Sequence, residues 1–228
     1  MNYWKEFVKN KFSRIFPYMV SAISPVLSNV STNEFINQFG GVDRVVLNLG
    51  AGTTTYSNVI SVDGSKYPTV DVVANLEDLP FKSGCADAVM SIGVLEHVSD
   101  PQKHIKEMKR VLKPGGVVFC FIPFIQPFHA SPYDFQRYTK KGMSKLFSDF
   151  SIDYIKVGAG PTSSLVWVLQ EWLALFLSFG NSRLYKLLVP LMWCLSPLKI
   201  LDFFLVHHPN AEVVASGFLL QARKPKNP

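Results

Sequence analysis

The stretch that decides the fold is residues 45–52, which read VVLNLGAG. Its first five residues form an almost continuous apolar run, as is typical of a strand buried on both faces of a parallel sheet. The run ends at Gly50 and Gly52. Glycine at such a point lets a ligand approach the backbone where a Cβ atom would clash, although a tight turn explains the same pattern. The stretch therefore predicts a strand that leads into a candidate ligand-binding loop.

Six more apolar runs predict strands, at residues 59–62, 70–73, 86–92, 117–122, 151–157 and 213–222. The clearest helix lies between the fourth and fifth strands, with Asp100 as its N-cap and Pro101 at its first position. Ile105, Met108 and Leu112 follow at helical spacing, and the sequence KPGG at 113–116 ends the helix. The order of these elements predicts a doubly wound α/β fold, a seven-stranded and mostly parallel sheet that binds ligands beyond the strands' carboxyl ends.

The first two connections between strands are unusually short. Six residues separate Gly52 from Val59, and six separate Asp63 from Val70. A crossover between parallel strands normally needs about a dozen residues or more, usually a helix. We therefore predict that residues 53–58 and 64–69 contain no full α-helix.

Composition excludes several classes of protein. Apolar residues make up 48% of the 228 residues and charged residues 18%, which argues against extended disorder. The three cysteines form no CxxC pair, so neither a zinc site nor a disulfide framework is predicted. The net charge of +6 comes without a run of five basic residues, so nucleic acid is not the expected partner. Without a signal peptide at the N-terminus or an uninterrupted apolar span of about 18 residues, we expect a cytoplasmic protein.

The chain divides by composition into four segments: a basic amphipathic helical segment at 1–38, an α/β core at 40–158, an apolar helical insertion at 162–206, and a final strand with a basic tail at 211–228. The insertion holds three of the four tryptophans and only five charged residues, and Pro190 and Pro197 interrupt its second helix. Such helices rest in a membrane interface, cover a lipid-linked acceptor, or simply pack on their own domain. The N-terminal segment predicts a helix with one apolar face, formed by Trp4, Phe7, Val8, Phe12 and Ile15. Such a helix binds anionic lipid or, equally often, covers the acceptor pocket.

Five motifs in order carry a resemblance to a known family: VLNLGAG at 46–52, Asp63, NLEDLPF at 75–81, AVMSIGVLEHV at 88–98, and RVLKPGG at 110–116. The region from about residue 44 to 123 resembles the class I S-adenosylmethionine-dependent methyltransferases of the small-molecule group. The shortened first half is similar to a subset found beside enzymes of polysaccharide and glycolipid biosynthesis. The resemblance implies a Rossmann-like fold and S-adenosylmethionine as cofactor.

The resemblance also implies a role for individual residues. Gly50 and Gly52 would pass the methionine part of the cofactor, and Asp63 would bind the two ribose hydroxyls. The adenine edge and the floor near the sulfonium would involve Asn75, Leu76, Ile92 and Gly93. The family usually has an acid where Asn48 stands, and often one where Asn75 stands. This departure motivates one alternative, a methyltransferase-like binding protein without activity.

Candidates for the acceptor side follow the fourth and fifth strands. The sulfonium is already a good electrophile, so the transfer needs alignment and a base for a hydroxyl acceptor, but no metal. His97 and His129 are the candidate bases, with Asp134 to orient a ring and Arg137 and Tyr138 to hold the acceptor. The structural alternatives are that His97 only forms a hydrogen bond and that Asp134 and Arg137 pair with each other to brace the loop.

We therefore expect a methyltransferase that acts on oxygen of a carbohydrate or lipid-linked glycan, with peripheral contact to membrane lipid. A quinone or other lipid is the alternative acceptor. A nicotinamide enzyme is disfavoured, because Thr55 stands where a dinucleotide fold would have its third glycine.

Overall fold

The structure, a computed structural model, describes residues 22–226, and these divide into two compact units. The sheet unit comprises residues 29–158 and 217–226, and the helical unit comprises residues 22–28 and 159–216. The predicted insertion at 162–206 thus falls within the helical unit. The predicted N-terminal helix face, from Trp4 to Ile15, lies outside the described residues.

The sheet has seven strands in the order β3-β2-β1-β4-β5-β7-β6. In chain order, β1 to β7 are Val46–Leu49, Ile60–Asp63, Val72–Val73, Ala86–Ile92, Leu112–Pro123, Ser151–Ala159 and Gly217–Arg223. Strands β1 to β5 pair in parallel, and β7 runs antiparallel to β5. The predicted seven-stranded, mostly parallel sheet is confirmed.

Strand β1 lies at the centre of the sheet, and all four of its residues are buried. Its apolar run forms a strand because β2 covers one of its edges and β4 covers the other. After β1 the chain forms β2 and β3 on one side of that strand, and it then forms β4 and β5 on the other side. A crevice opens where the strand order reverses in this way, at the carboxyl ends of β1 and β4. The strand order therefore fixes where a ligand binds.

Three helices accompany the sheet: α1 at Thr32–Phe39, α2 at Pro101–Val111 and α3 at Lys140–Leu146. The predicted cap of α2 is confirmed, since the Asp100 side chain accepts from the Lys103 backbone N–H at 2.9 Å. Ile105 and Met108 are buried on the sheet side. The placement of Leu112 in the helix is wrong, because it adopts extended backbone and begins β5 by pairing with Ala86.

The prediction for the two short connections is confirmed, since residues 53–58 and 64–69 contain only turns and irregular backbone. In place of a crossover helix, hydrogen bonds from two side chains fix the positions of these short loops. Asp71 accepts from the Ser61 backbone N–H at 2.8 Å, and Thr69 donates to the Gly52 carbonyl at 3.0 Å. These bonds hold the loops against the strand ends.

The helical unit contains α4 at Pro161–Leu177, α5 at Ser182–Met192, a 3-10 segment at Trp193–Leu201 and the short α6 at Asp202–Leu205. A second 3-10 turn follows at Ala211–Val214. The carboxylate of Asp202 is buried and accepts from the backbone N–H groups of Thr162 and Ser163 at 2.7 and 2.8 Å, which caps α4.

The predicted interruption of the second helix occurs after Pro190, because the α-helix ends at Met192 and the chain continues as a 3-10 helix that contains Pro197. Residues Ser182–Leu205 form a continuous path of 24 residues that changes from α to 3-10 geometry at Trp193. This change closely follows Pro190, because proline removes one backbone donor and crowds the preceding turn. By length and composition alone, this stretch qualifies as a candidate membrane span, and 11% of its most apolar window is buried within the structure.

Candidate functional site

A groove of about 630 Å³ opens at the carboxyl ends of the central strands in the sheet unit. Six of the eight predicted cofactor residues line it: Gly50, Gly52, Asp63, Asn75, Leu76 and Gly93. The other two, Asn48 and Ile92, lie within β1 and β4, and Asn48 is 5% exposed. An amide at position 48 is therefore part of the buried strand and not of the groove lining.

The glycine loop after β1 depends on backbone conformations that other residues rarely adopt. Gly50 has φ +72°, and a Cβ atom at this position would lie 2.3 Å from Cγ2 of Val94. Gly52 has φ +54°, with no heavy atom within 4 Å of a Cβ at that position. Gly50 therefore permits close packing against the segment after β4, while Gly52 leaves space open beside the groove.

Asp63, at the end of β2, ties the glycine loop to the next loop. Its carboxylate accepts from the backbone N–H groups of Gly52 and Ser65, each at 2.8 Å. Each carboxylate oxygen has a second lone pair, so these bonds leave capacity for two ribose hydroxyls. Asp63 thus both shapes the loop and presents negative charge to the groove.

We expect Asp63→Ala to weaken binding of S-adenosylmethionine by about 1–3 kcal/mol, because the ribose hydroxyls lose a charged acceptor. Calorimetry on the full chain measures this change. Asp63→Asn serves as the matched variant, because it keeps one acceptor oxygen, and we expect an intermediate affinity. Binding of NADH in place of the sulfonium cofactor by the wild type would contradict the assignment of this groove.

The side of the groove predicted to hold adenine contains Asn75 and Leu76. The Oδ1 atom of the Asn75 side chain accepts from the Glu77 backbone N–H at 2.9 Å, which leaves the side-chain NH2 group for a ligand. The Leu76 carbonyl lies 2.8 Å from Nδ1 of His104, a fully buried residue on α2. Burial lowers the pKa of His104, so the ring is neutral and donates to Leu76. His104 was not among the predicted site residues. The sequence marks it only by its place on the apolar face of α2.

This buried histidine makes stability depend on pH. Because the pKa of His104 is lower in the folded chain than its ordinary value, the unfolded chain binds more protons below about pH 6.5, and stability falls as the pH falls. We expect the unfolding free energy of the wild type to drop relative to His104→Asn by up to about 1.4 kcal/mol per pH unit in this range. Chemical denaturation between pH 7 and 5 measures the difference, with exposed His207→Asn as control. Parallel curves for wild type and His104→Asn would refute the assignment.

Part of the groove lining comes from residues 127–137, which we call the acceptor loop. Gln136 holds it in place by donating to the carbonyls of Leu95 and Val98 at 2.7 and 3.1 Å. The Phe135 backbone N–H donates to the Glu96 carbonyl at 2.8 Å. Ser131, Pro132, Tyr133 and Phe135 line the groove as a result. The loop after β5 therefore lies beside the turn after β4.

Docking of the acceptor loop brings His97 and His129 together against Glu96, and we call these three residues the Glu–His–His cluster. Oε1 of Glu96 lies 3.7 Å from Nε2 of His97 and 3.8 Å from Nε2 of His129. Hydrogen bonding to Glu96 raises the pKa of His129, with burial opposing it. His97 lines the groove, and a Cβ on Gly93 would lie 3.5 Å from Oε1 of Glu96. The cluster therefore adjoins the expected position of the cofactor's sulfonium.

Asp134 and Arg137 pair with each other, as in the structural alternative for the acceptor loop. Both oxygens of Asp134 bind the Arg137 guanidinium, which holds the pKa of this carboxyl well below its usual range. Asp134 also accepts from the backbone N–H of His129 at 2.7 Å, whereas its carboxylate lies 3.9 Å from Nδ1 of the ring. The carboxylate that faces the ring nitrogen Nε2 is Glu96. The predicted catalytic role of Asp134 and acceptor-binding role of Arg137 remain predictions.

Tyr138 is half-buried at the end of the acceptor loop, and burial raises the pKa of its phenol. Its backbone N–H donates to the Pro123 carbonyl at 3.4 Å, which joins the loop to the last residue of β5. Its predicted role in acceptor binding stays a prediction.

The strand order, the glycine loop and the acidic residue after β2 define a class I S-adenosylmethionine-dependent methyltransferase fold. Residues 44–120 match the family model described as a methyltransferase domain. The match begins just before β1, ends within β5 and includes Gly50, Gly52, Asp63, Asn75, Leu76 and Gly93 of the groove lining.

Curated relatives are similar over part of their length. The chain is 30% identical to a human protein named probable tRNA methyltransferase 9B, over 52% of this chain and 29% of the relative. It is 35% identical to a probable S-adenosylmethionine-dependent methyltransferase from Mycolicibacterium smegmatis, over 36% of this chain and 31% of the relative. The chain thus matches about a third of the length of these relatives.

Solved structures share the fold at low sequence identity. The [4+2]-cyclase SpnF superposes with a TM-score of 0.54 at 15% identity, covering 96% of this chain and 95% of that one. A putative sarcosine dimethylglycine methyltransferase from Galdieria sulphuraria gives a TM-score of 0.54 at 14% identity, over 86% and 84% of the two chains. These similarities concern the fold alone.

Proposed function

We propose that this chain transfers the methyl group of S-adenosylmethionine to a hydroxyl oxygen of a carbohydrate or lipid-linked glycan. The observation that carries the proposal is the Glu–His–His cluster, which lies beside Gly93 and contributes His97 to the groove lining. A carbon acceptor already activated as a nucleophile would not need such a cluster, whereas a hydroxyl must lose its proton near neutral pH.

The reaction needs few groups from the protein. The acceptor oxygen forms a bond to the methyl carbon while the carbon–sulfur bond breaks, and its electron pair stays on sulfur. The sulfonium thereby becomes a neutral thioether, and the hydroxyl proton leaves on the side of the cluster. The groove contributes alignment and exclusion of water, which are the main sources of acceleration for such a displacement. Within the cluster, we assign hydroxyl activation to His129 and support to His97.

Two aromatic rings favour a sugar as acceptor. Tyr133 and Phe135 line the groove and are 62% and 52% exposed, with ring centroids 5.5 Å apart. Exposed aromatic faces offer apolar area at little entropic cost, and the apolar face of a sugar ring packs against them. The polar groups of the acceptor loop then supply hydrogen bonds to its hydroxyls.

A second acceptor class is favoured by the relatives. Several relatives carry the names of tRNA-modifying enzymes, among them the human probable tRNA methyltransferase 9B and a tRNA U34 carboxymethyltransferase from Cellvibrio japonicus. The chain carries a net charge of +6. A positive charge of this size suits the phosphate backbone as well as anionic lipid. The expectation that nucleic acid is not a partner therefore stays a prediction, as does the alternative of a quinone or other lipid acceptor.

The decisive experiment supplies methyl-labelled S-adenosylmethionine and four acceptor pools: lipid-linked glycans, free glycans, quinone-containing lipid extract and bulk tRNA. We expect label in a glycan pool, and mass spectrometry should place the added methyl group on oxygen. Label in tRNA or quinone alone would overturn the proposed acceptor. Cofactor binding without label in any pool would favour a binding protein without activity.

We also propose peripheral contact with membrane lipid on the cytoplasmic face, through the helical unit. Trp172 and Phe176 on α4 are 55% and 60% exposed, and their rings stack with centroids 5.4 Å apart. Along the second helical stretch, Phe203 and Phe204 are 62% and 78% exposed. An exposed apolar surface of this kind is typical of interfacial binding.

We expect the full chain to float with anionic vesicles, and Trp172→Ser together with Phe176→Ser to reduce the floated fraction. Phe128→Ser is the matched control, because this ring is 77% exposed but belongs to the sheet unit. Flotation that is absent in the wild type, or equal in both variants, would leave the apolar helices as a cover that packs on its own domain.

A further inference from the structure

The Glu–His–His cluster has the composition and spacing of a metal site. One ligand atom from each of Glu96, His97 and His129 lies within 4.8 Å of those of the other two. Three ligands around a metal at ordinary bond lengths lie about 3.3 Å apart in tetrahedral geometry. The separations of 3.7 and 3.8 Å from Glu96 Oε1 to the two Nε2 atoms are longer than this, and the three ligand atoms lie within 4.8 Å of one another, so the side chains must draw together to hold an ion.

Both imidazole rings are oriented as metal ligands are. Nδ1 of His97 lies 2.6 Å from the Tyr133 carbonyl, and Nδ1 of His129 lies 2.8 Å from the Pro127 carbonyl. A carbonyl only accepts, so each Nδ1 is assigned the proton that it donates, and Nε2 is the ring nitrogen that faces Glu96 in both histidines. Anchoring of the second nitrogen on a carbonyl is the usual support of a metal-bound histidine.

Arg137 does not disturb this orientation. Its Nη2 lies 3.2 Å from Nδ1 of His129, but it also donates to the Pro127 carbonyl at 3.1 Å. The Pro127 carbonyl thus accepts from both His129 Nδ1 and Arg137 Nη2. Both oxygens of Asp134 offset the guanidinium charge. Nε2 of His129 stays directed at Glu96, on the other side of the ring.

An independent observation concerns the second carboxylate oxygen of Glu96. The side chain is 2% exposed, and its Oε2 has no hydrogen-bond partner, which holds for only three buried side-chain N or O atoms among residues 22–226. A buried carboxylate oxygen without a donor is costly unless a positive charge lies close to it. A cation shared by the three side chains supplies that charge.

We propose that the Glu–His–His cluster binds one divalent ion of the zinc, cobalt or iron(II) type through the Glu96 carboxylate and Nε2 of His97 and His129. Two imidazoles with one carboxylate favour these ions over magnesium and calcium, which prefer oxygen ligands. Three protein ligands leave a coordination position open, as catalytic sites require.

The function of this ion, unlike its binding, rests on the proposed hydroxyl transfer. The cluster adjoins Gly93 in the groove, so a hydroxyl at the open position would bind the ion next to the cofactor's methyl group. Coordination lowers the pKa of a bound hydroxyl, and its proton passes to solvent water. His129 then activates the hydroxyl through the ion that it holds.

Cobalt(II) is the probe, because its visible absorption reports ligand number and type. The full chain, freed of metal by a chelator, is titrated with cobalt(II) in the presence of millimolar magnesium. We expect one ion per chain, displaced by zinc and insensitive to magnesium. Glu96→Gln, His97→Ala and His129→Ala should each weaken binding by about 100-fold or more, whereas exposed His207→Ala should bind like the wild type.

Thermal melts followed by circular dichroism identify any variant that fails to fold, and the three single variants test the site independently. Absence of one-to-one binding, displacement of cobalt by magnesium, or unchanged affinity in a folded His129→Ala chain would overturn the metal site. Cobalt binding without methylation of any acceptor would refute only the proposed function. Methylation at full rate in a chelated chain that binds no cobalt would refute only the metal site.

Discussion

Replacement of His129 by alanine is expected to lower methyl transfer to a hydroxyl acceptor by roughly 10²–10⁴-fold. The variant removes the ring whose Nε2 faces Glu96 at 3.8 Å and leaves the glycine loop and Asp63 intact. Affinity for S-adenosylmethionine should therefore stay near that of the wild type. Single-turnover kinetics with saturating cofactor, together with calorimetry, separate the two quantities.

The matched control for this prediction is His207→Ala, because His207 is exposed and lies in the helical unit. It should transfer methyl groups at the wild-type rate. A structural role for His129 gives a different result, in which the melting temperature falls and the loss of activity follows the loss of folded protein. Full turnover by a folded His129→Ala chain would assign hydroxyl activation to His97.

Gly50→Ala is expected to weaken cofactor binding and to destabilise the sheet unit. The new Cβ would lie 2.3 Å from Val94 Cγ2, on a backbone with φ +72°. Overpacking of this kind costs about 1–3 kcal/mol, and left-handed backbone at alanine adds about 1–2 kcal/mol. Because the loop can relieve the clash only by moving away from Val94, we expect affinity for S-adenosylmethionine to fall by at least about 100-fold.

Gly84→Ala separates backbone strain from steric clash. Gly84 has a similar φ of +67°, but no heavy atom lies within 4 Å of a Cβ there, and the residue is not part of the groove lining. We expect this variant to lose about 1–2 kcal/mol of unfolding free energy and to keep its cofactor affinity. Equal cofactor affinities of the two variants would show that the contact with Val94 does not shape the loop.

The cofactor half of the site was largely predictable because it is local in sequence. Gly50, Gly52 and Asp63 follow directly from strands that hydrophobic runs reveal, and parallel strands bring their carboxyl ends to one edge. The same reasoning gave the helix-free connections, since six residues cannot form a packed crossover. His104 was not predictable in this way, because its partner is a backbone carbonyl 28 residues away.

The acceptor half could be predicted only in part. His97 and His129 were candidates by residue type and position, but the carboxylate assigned to orient a ring was Asp134. In the tertiary structure both oxygens of Asp134 bind Arg137, and Glu96 is a further carboxylate that faces the two rings. That choice depends on how the acceptor loop docks, which Gln136 decides through carbonyls 38 and 41 residues away.

The sequence by itself determined the strands along the chain, the glycine loop and the class of fold, because apolar periodicity and turn residues act over a few positions. The tertiary structure alone decided which charged groups meet at the acceptor end. Pairing between Glu96, His97 and His129 joins residues up to 33 positions apart, and no spacing rule within the chain specifies it. Burial of Glu96 supplies the physical reason why the pairing matters, since a carboxylate removed from water requires positive charge or donors close by.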